Sequence, residues 1–199
     1  QKAQEIDEKV LGTKNPDTAI AYNNIGTAYF ELANYSKALE YYNKALGIRE
    51  KAFGKGHSDT ATLYNDIGSV YHEQENYQLA LKYYRKALRI DERIHGTKHP
   101  DTARDYNNIG LVFGAKGNYA KAFKYHQMAL AIRRNRLGAN HPDTATSYHN
   151  MGTLLLDLEK YPEALKHFKI ALRILNNNFN DDHPNIYKVQ ELIDITKTI

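Results

Sequence analysis

Apolar and small residues recur along this chain at helical spacing, in blocks that return every 42 residues. In the first block Tyr22, Ile25, Gly26 and Tyr29 fall on one face of a helix, which predicts a helix near residues 17–32 with that face buried. A second helix is predicted to begin at Tyr35. Its buried face has the same spacing and consists of Ala38, Tyr42, Ala45 and Ile48.

The 42-residue period continues without insertion or deletion. One aligned column holds Pro16, Ser58, Pro100, Pro142 and Pro184. A fixed period of this size is typical of a repeat array in which each supersecondary unit packs only on its neighbours. We therefore predict four repeats, at residues 16–57, 58–99, 100–141 and 142–183. We expect the end of a preceding repeat helix at residues 1–15 and a capping helix at 184–199.

Residues suited to helix ends stand at the predicted boundaries. Pro and Asp begin the first helix of most repeats, where Pro lacks a donor that a first turn leaves unbonded and Asp complements the helix dipole. The second helices follow Asn34, Asn76 and Asn118, which are predicted N-caps, whereas Lys160 in the fourth repeat is not.

Glycines mark two further positions in the repeat. Gly54, Gly96 and Gly138 are expected to end the second helices. The Gly26 column lies inside the first helices, where glycine is unfavourable. We therefore predict that Gly26 and Ala38 permit close approach of two paired helices.

The pattern of Tyr22, Ile25-Gly26, Tyr29, Ala38, Tyr42 and Ala45 resembles the tetratricopeptide repeat. The 42-residue length, and phrases such as His141-Pro142-Asp143-Thr144-Ala145, are similar to the kinesin light chain subgroup. Related repeats also occur in other scaffolds. The resemblance implies an all-α, right-handed superhelix of helix-turn-helix repeats, with the first helices lining a concave groove that binds a peptide.

One face of the first helices carries polar side chains that suit a peptide backbone, because an Asn amide both donates and accepts hydrogen bonds. The candidate peptide-binding residues on this face are Asn23, Asn24, Asn65, Asp66, Arg104, Asn107, Asn108 and Asn150. An ordinary solvated helix face would have a similar composition. Arg104 is the one cation that the resemblance places on the groove face.

Charge is unevenly distributed among the repeats. Residues 100–141 contain seven Lys or Arg and two Asp, giving +5, whereas residues 142–183 carry −2. Such a charge could attract an acidic partner or could be a solvated basic face. The first alternative predicts an acidic peptide bound by repeats two and three.

Composition argues against several other classes of protein. Cysteine is absent, which is compatible with a reducing compartment, and no apolar run has membrane-spanning length. The cap-column histidines, His57, His99, His141 and His183, are one per repeat and are interpreted as turn residues rather than as metal ligands. We expect no cofactor, metal, membrane or nucleic acid, and a cytoplasmic location.

These observations favour a noncatalytic interaction scaffold that binds an extended peptide. Two alternatives remain open at this point. The ends of the array could stack into oligomers, or the chain could be the sensor arm of a larger NTPase. The identity of the peptide and the oligomeric state do not follow from the sequence.

Overall fold

The structure is a computed structural model that describes residues 16–198. The chain divides into two compact units, the first ending at Ile94 and the second beginning at His95. The secondary structure within the described residues comprises nine α-helices and no strand, which confirms the all-α prediction. The predicted helix end at residues 1–15 lies outside the described residues.

The helices follow one another in pairs. The first unit holds α1 (Pro16–Glu31), α2 (Tyr35–Phe53), α3 (Ser58–Glu73) and α4 (Tyr77–His95), the last residue of which belongs to the second unit. The second unit holds α5 (Pro100–Ala115), α6 (Tyr119–Arg136), α7 (Pro142–Asp157), α8 (Tyr161–Asn178) and α9 (Pro184–Thr198). Among residues 16–198, no helix is both long and apolar enough to span a membrane.

Side-chain caps begin both kinds of helix. The Nδ1 atoms of His57, His99 and His141 accept the backbone N–H two residues later, at 3.1–3.2 Å, and so cap α3, α5 and α7. The Oδ1 atoms of Asn34, Asn76 and Asn118 cap the second helices by accepting the backbone N–H three residues later, and Lys160 makes no side-chain cap bond. Both the Asn caps and the structural role of the turn histidines are confirmed.

The core consists mainly of the helix faces that the sequence predicts to be buried, although some of the predicted residues are only partly buried. Ala38, Tyr42, Ala45 and Ile48 of α2 are buried, as is Tyr22. Ile25 and Tyr29 are only partly buried, whereas Ile67 and Ile109, in the column of Ile25, are fully buried. In α9, Ile186, Val189 and Ile193 are buried as expected, whereas Leu192 is partly buried.

The glycines inside the first helices each face a ring from the second helix of the same pair. A Cβ atom would lie 2.6 Å from Tyr42 at Gly26, 2.7 Å from Tyr84 at Gly68, 2.9 Å from His126 at Gly110 and 2.6 Å from Phe168 at Gly152. Close approach at the glycines is therefore confirmed, and the group that each glycine faces is a ring. All four rings are buried.

The third repeat changes the polar contact that accompanies this packing. The phenols of Tyr42 and Tyr84 meet the hydroxyls of Thr27 and Ser69 at 3.2 and 3.1 Å. The corresponding residues of the third repeat are His126 and Leu111, so no hydroxyl pair can form there.

His126 bonds instead to the amide of Asn107. Its Nδ1 lies 3.2 Å from Asn107 Oδ1, which also accepts a hydrogen bond from Asn150 Nδ2 at 2.8 Å. Because a carbonyl oxygen only accepts, Nδ1 of the neutral ring carries the proton. Burial, with a smaller contribution from the charge of Arg133, lowers the pKa of His126 to about 4.

The glycine contacts predict that Gly110→Leu will lower the melting temperature. The new side chain would be forced against the buried ring of His126, and overpacking typically costs about 1–3 kcal/mol. Gly47 is the matched control because it lies exposed within α2 and a Cβ there would meet nothing within 4 Å. Gly47→Leu should leave the melting temperature unchanged or raise it through better helix propensity. Equal effects of both changes in thermal unfolding would contradict the close contact.

The buried His126 predicts a loss of stability in acid. The unfolded chain binds a proton at His126 near pH 6.5, but the folded chain resists it until about pH 4. The contribution is therefore fully present above pH 6.5 and is lost as pH falls towards 4, by about 3 kcal/mol in all. Urea unfolding of the parent and His126→Phe proteins at pH 7 and pH 4.5 measures it, since Phe168 fills the same column of the next repeat. A parallel decline in the two proteins would contradict this assignment.

Candidate peptide-binding surface

Two neighbouring columns of the first helices hold most of the predicted site residues. The inner column is Asn23, Asn65, Asn107 and His149, and the outer column is Asn24, Asp66, Asn108 and Asn150. Asn65 and Asn107 are buried, with 4% and 6% of their surface exposed. Asn24 is exposed and the remaining members are partly buried. A ligand can therefore contact the outer column more readily than Asn65 and Asn107 of the inner column.

In the first compact unit, the sequence-predicted residues are Asn23 and Asn24 on α1 and Asn65 and Asp66 on α3. Asn23 lines a depression of about 300 Å³ together with Ile20 of α1, Arg49 of α2, and Asp59, Thr62 and Leu63 of α3. Arg49 Nη1 and Asp59 Oδ2 form an ion pair of 2.8 Å at its edge. The Oδ1 atom of Asn23 is shielded from solvent and has no hydrogen-bond partner among the described residues.

In the second unit, Asn107 and Asn150 are brought together by the hydrogen bond described above. This bond uses the acceptor of Asn107, so its amide is committed to the protein interior. Asn150 donates one N–H and still carries an acceptor oxygen of its own. Sequence reasoning placed both residues on the same face but did not reveal that one would orient the other.

Arg104 is partly exposed near the start of α5. Its Nη1 lies 3.5 Å from Asp101 Oδ1, and its side chain is 39% exposed. An incoming carboxylate would therefore share this guanidinium with Asp101. Another cation of the basic third repeat, Arg133, is 6% exposed and hydrogen-bonds to Ser147 Oγ at 2.9 Å, so it contributes little to the surface.

A second depression, of about 230 Å³, lies between α7 and α9. Its polar lining consists of Thr146, His149 and Asn150 from α7 and Asn185 and Lys188 from α9. The Nδ1 atom of His149 is shielded from solvent and has no hydrogen-bond partner among the described residues. Burial, followed by the charge of Lys188, lowers the pKa of His149, so the ring is neutral at pH 7 and can either donate or accept.

Lys188 corrects the expectation that Arg104 is the one cation on this face. The sequence contained the signal, since Ile20, Thr62, Arg104, Thr146 and Lys188 form one column of the 42-residue period. The prediction of a capping helix at residues 184–199 concerned only its buried face and did not include this polar column.

Comparison with solved structures shows the fold to which these helices belong. BtubC (BKLC) from P. vanneervenii is 25% identical, with a TM-score of 0.70 over 85% of this chain and 68% of that one. A kinesin light chain candidate from Podosopora anserina, with nearly identical TPR-like repeats, is 16% identical, with a TM-score of 0.72 over 92% and 87%. The apo form of RapI is 18% identical, with a TM-score of 0.72 over 90% of this chain and 63% of RapI.

These likenesses confirm an all-α solenoid of helix-turn-helix repeats with the kinesin light chain-like architecture. A search of curated proteins gave no match. The tetratricopeptide repeat family model matches residues 1–51, 59–135, 106–177 and 143–186, which together cover most of the sequence. The chain therefore belongs to the tetratricopeptide repeat family.

Proposed function

We propose that this protein is a noncatalytic interaction scaffold and that its second compact unit binds an extended peptide containing acidic side chains. Tetratricopeptide repeats typically serve protein interaction. The observation that carries the proposal is the unpartnered Nδ1 atom of His149, which lines a depression beside Lys188 and Asn150. A buried polar atom without a partner is unfavourable, and a peptide N–H or C=O would supply one.

The size of the depression limits what it can hold. Pockets for drug-sized molecules occupy roughly 300–1,000 Å³, whereas this one has about 230 Å³. A single peptide side chain fits such a volume. The remainder of the ligand would lie along the surface, with Asn150 and Asn108 bonding to its backbone.

Positive charge determines the preferred ligand. Arg104 and Lys188 occupy the same column on α5 and α9, with Thr146 of α7 in the column between them. An acidic side chain would pair with either cation, and Lys188 also faces the imidazole of His149. Because Lys188 is exposed and Arg104 is partly exposed, salt should weaken the interaction.

This proposal differs from the placement across repeats two and three that the sequence predicts. Asn107 orients Asn150 rather than contacting the ligand in this proposal. Within the first unit, Asn23 and Asn24 are a further candidate surface, supported by the shielded Oδ1 atom of Asn23. Asn65 and Asp66 remain candidates on α3.

We also retain the repeat boundaries at residues 16–57, 58–99, 100–141 and 142–183, with a cap at 184–199. They agree with the uninterrupted sequence period. A cytoplasmic location is part of the same proposal, supported by the absence of cysteine.

Selection from a displayed random-peptide library, followed by fluorescence anisotropy with the tightest peptide, tests the function. Lys188→Glu should weaken binding by about tenfold or more, because it turns an attraction for an acidic side chain into a repulsion. Arg104→Glu should have a similar effect. Lys121→Glu is the matched control, since it makes the same charge change on the exposed face of α6.

Binding by the parent should also weaken as salt is raised from 50 to 500 mM. The proposed surface is wrong if Lys121→Glu weakens binding as much as Lys188→Glu. It is also wrong if His149→Ala and Lys188→Glu proteins both bind as tightly as the parent. Light scattering on the same samples distinguishes peptide binding from assembly of the chain into oligomers.

A further inference from the structure

The turn between α4 and α5 brings together two imidazoles and a carboxylate. His95 is the last residue of α4, His99 caps α5, and Asp101 lies in the first turn of α5. One ligand atom from each residue lies within 4.8 Å of the others, and this is the one such cluster within residues 16–198. Asp101 Oδ2 is 3.2 Å from His99 Nδ1 and 3.9 Å from His95 Nε2.

The other turns of the chain serve as internal comparisons. In the His95 column, Phe53 and Phe179 stack on the cap histidines His57 and His183, with ring centroids 4.8 and 4.0 Å apart. His95 stacks on His99 in the same manner at 4.4 Å. Ring stacking thus occurs in three of these turns, whereas the turn before α7 has Leu137 in this column. His95 adds a nitrogen ligand and keeps the stacking that Phe53 and Phe179 make.

The carboxylate of this turn is also more available than its equivalent in the first unit. There, Arg49 Nη1 holds Asp59 Oδ2 at 2.8 Å. The residue in the Arg49 column of the next repeat is Asp91, which cannot form that ion pair. At Asp101, Arg104 contacts Oδ1 and leaves Oδ2 directed towards both imidazoles.

We propose that His95, His99 and Asp101 bind one Zn²⁺ ion. Two imidazole nitrogens and a carboxylate oxygen form a ligand set that suits zinc, with water completing a tetrahedral site. Bonds of about 2.0–2.1 Å place neighbouring ligands of a tetrahedral ion roughly 3.3–3.4 Å apart. The observed 3.2 and 3.9 Å are near this spacing, so small side-chain movements bring the three atoms into place.

Zinc binding competes with the helix cap at this turn. His99 Nδ1 accepts the N–H of Asp101 at 3.2 Å, which requires a lone pair on Nδ1. Coordination through Nδ1 takes that lone pair directly. Because Nδ1 is the His99 atom that lies beside the Asp101 carboxylate, it is the ligand atom in this site. α5 therefore loses its cap bond when zinc binds, so we expect micromolar rather than tighter affinity.

Isothermal titration of chelator-treated protein with ZnCl₂ tests the site. The parent should bind one ion in the micromolar range, and His95→Phe should weaken this binding by at least about tenfold, because one of three protein ligands is lost. The variant should keep the parent's melting temperature without zinc, since Phe53 and Phe179 occupy the same position in other turns. His141→Ala is the control, because it removes a turn histidine that has no second imidazole beside it and should retain zinc binding.

Amide spectra of ¹⁵N-labelled protein give a local readout of the lost cap. Zinc should shift the amide resonance of Asp101 and leave that of Asp143, which has the same His cap, in place. The site is refuted if the parent fails to bind zinc. It is equally refuted if His95→Phe binds as tightly as the parent, or if the Asp143 amide responds as strongly as that of Asp101.

Discussion

The contact between a helical glycine and a ring on the paired helix is the constraint on which each hairpin depends. Any side chain at Gly26, Gly68, Gly110 or Gly152 would overlap the ring opposite it. The ring can therefore lie flat on the backbone of the first helix, which brings the helices close enough to bury Ala38 and its equivalents completely. The caps determine where each helix begins, but the glycine and the ring determine how far apart the two helices are.

Because the ring lies so close to the first helix, its identity determines which polar side chains of that helix form hydrogen bonds within the hairpin. A phenol reaches the hydroxyl of Thr27 or Ser69. The smaller imidazole of His126 reaches Asn107 instead, and Asn107 in turn holds Asn150. One change in the core is thus transmitted to a side chain on the candidate binding surface. This link depends on two hydrogen bonds and requires no movement of the backbone.

Much of the fold could be predicted from the sequence, because every helix end and every buried column recurs several times. The Asn caps and the glycine column can be recognised because each occurs at the same position in several repeats. The partner of Gly26 could not be identified, since Ala38 and Tyr42 lie on the same face of α2 and only the packing angle decides between them. The hydrogen bond of Asn107 was also unpredictable, because it depends on His126 in another helix.

The candidate surface was less predictable than the fold for a related reason. An aligned column of the period shows which residues the repeats share. Ligand recognition depends instead on residues that differ from the others in their column. Lys188 could have been found by extending the Arg104 column into α9. The unpartnered nitrogen of His149 could not have been found from the sequence, because its environment is formed by two helices together.

The exchange of Tyr for His at residue 126 also bears on how an array of similar hairpins avoids mispairing during folding. A first helix that docked on a second helix from another repeat would still place a glycine against a ring, so the apolar contacts alone do not distinguish correct from shifted pairing. The polar groups distinguish some of these pairings. Leu111 of α5 offers no hydroxyl, so pairing of α5 with α2 or α4 would bury the phenol of Tyr42 or Tyr84 without its partner, which is costly. His126 bonds to an Asn amide instead and so removes this cost from the correct pair of α5 and α6. The third repeat therefore helps to distinguish the correct pairing of helices from a shifted one.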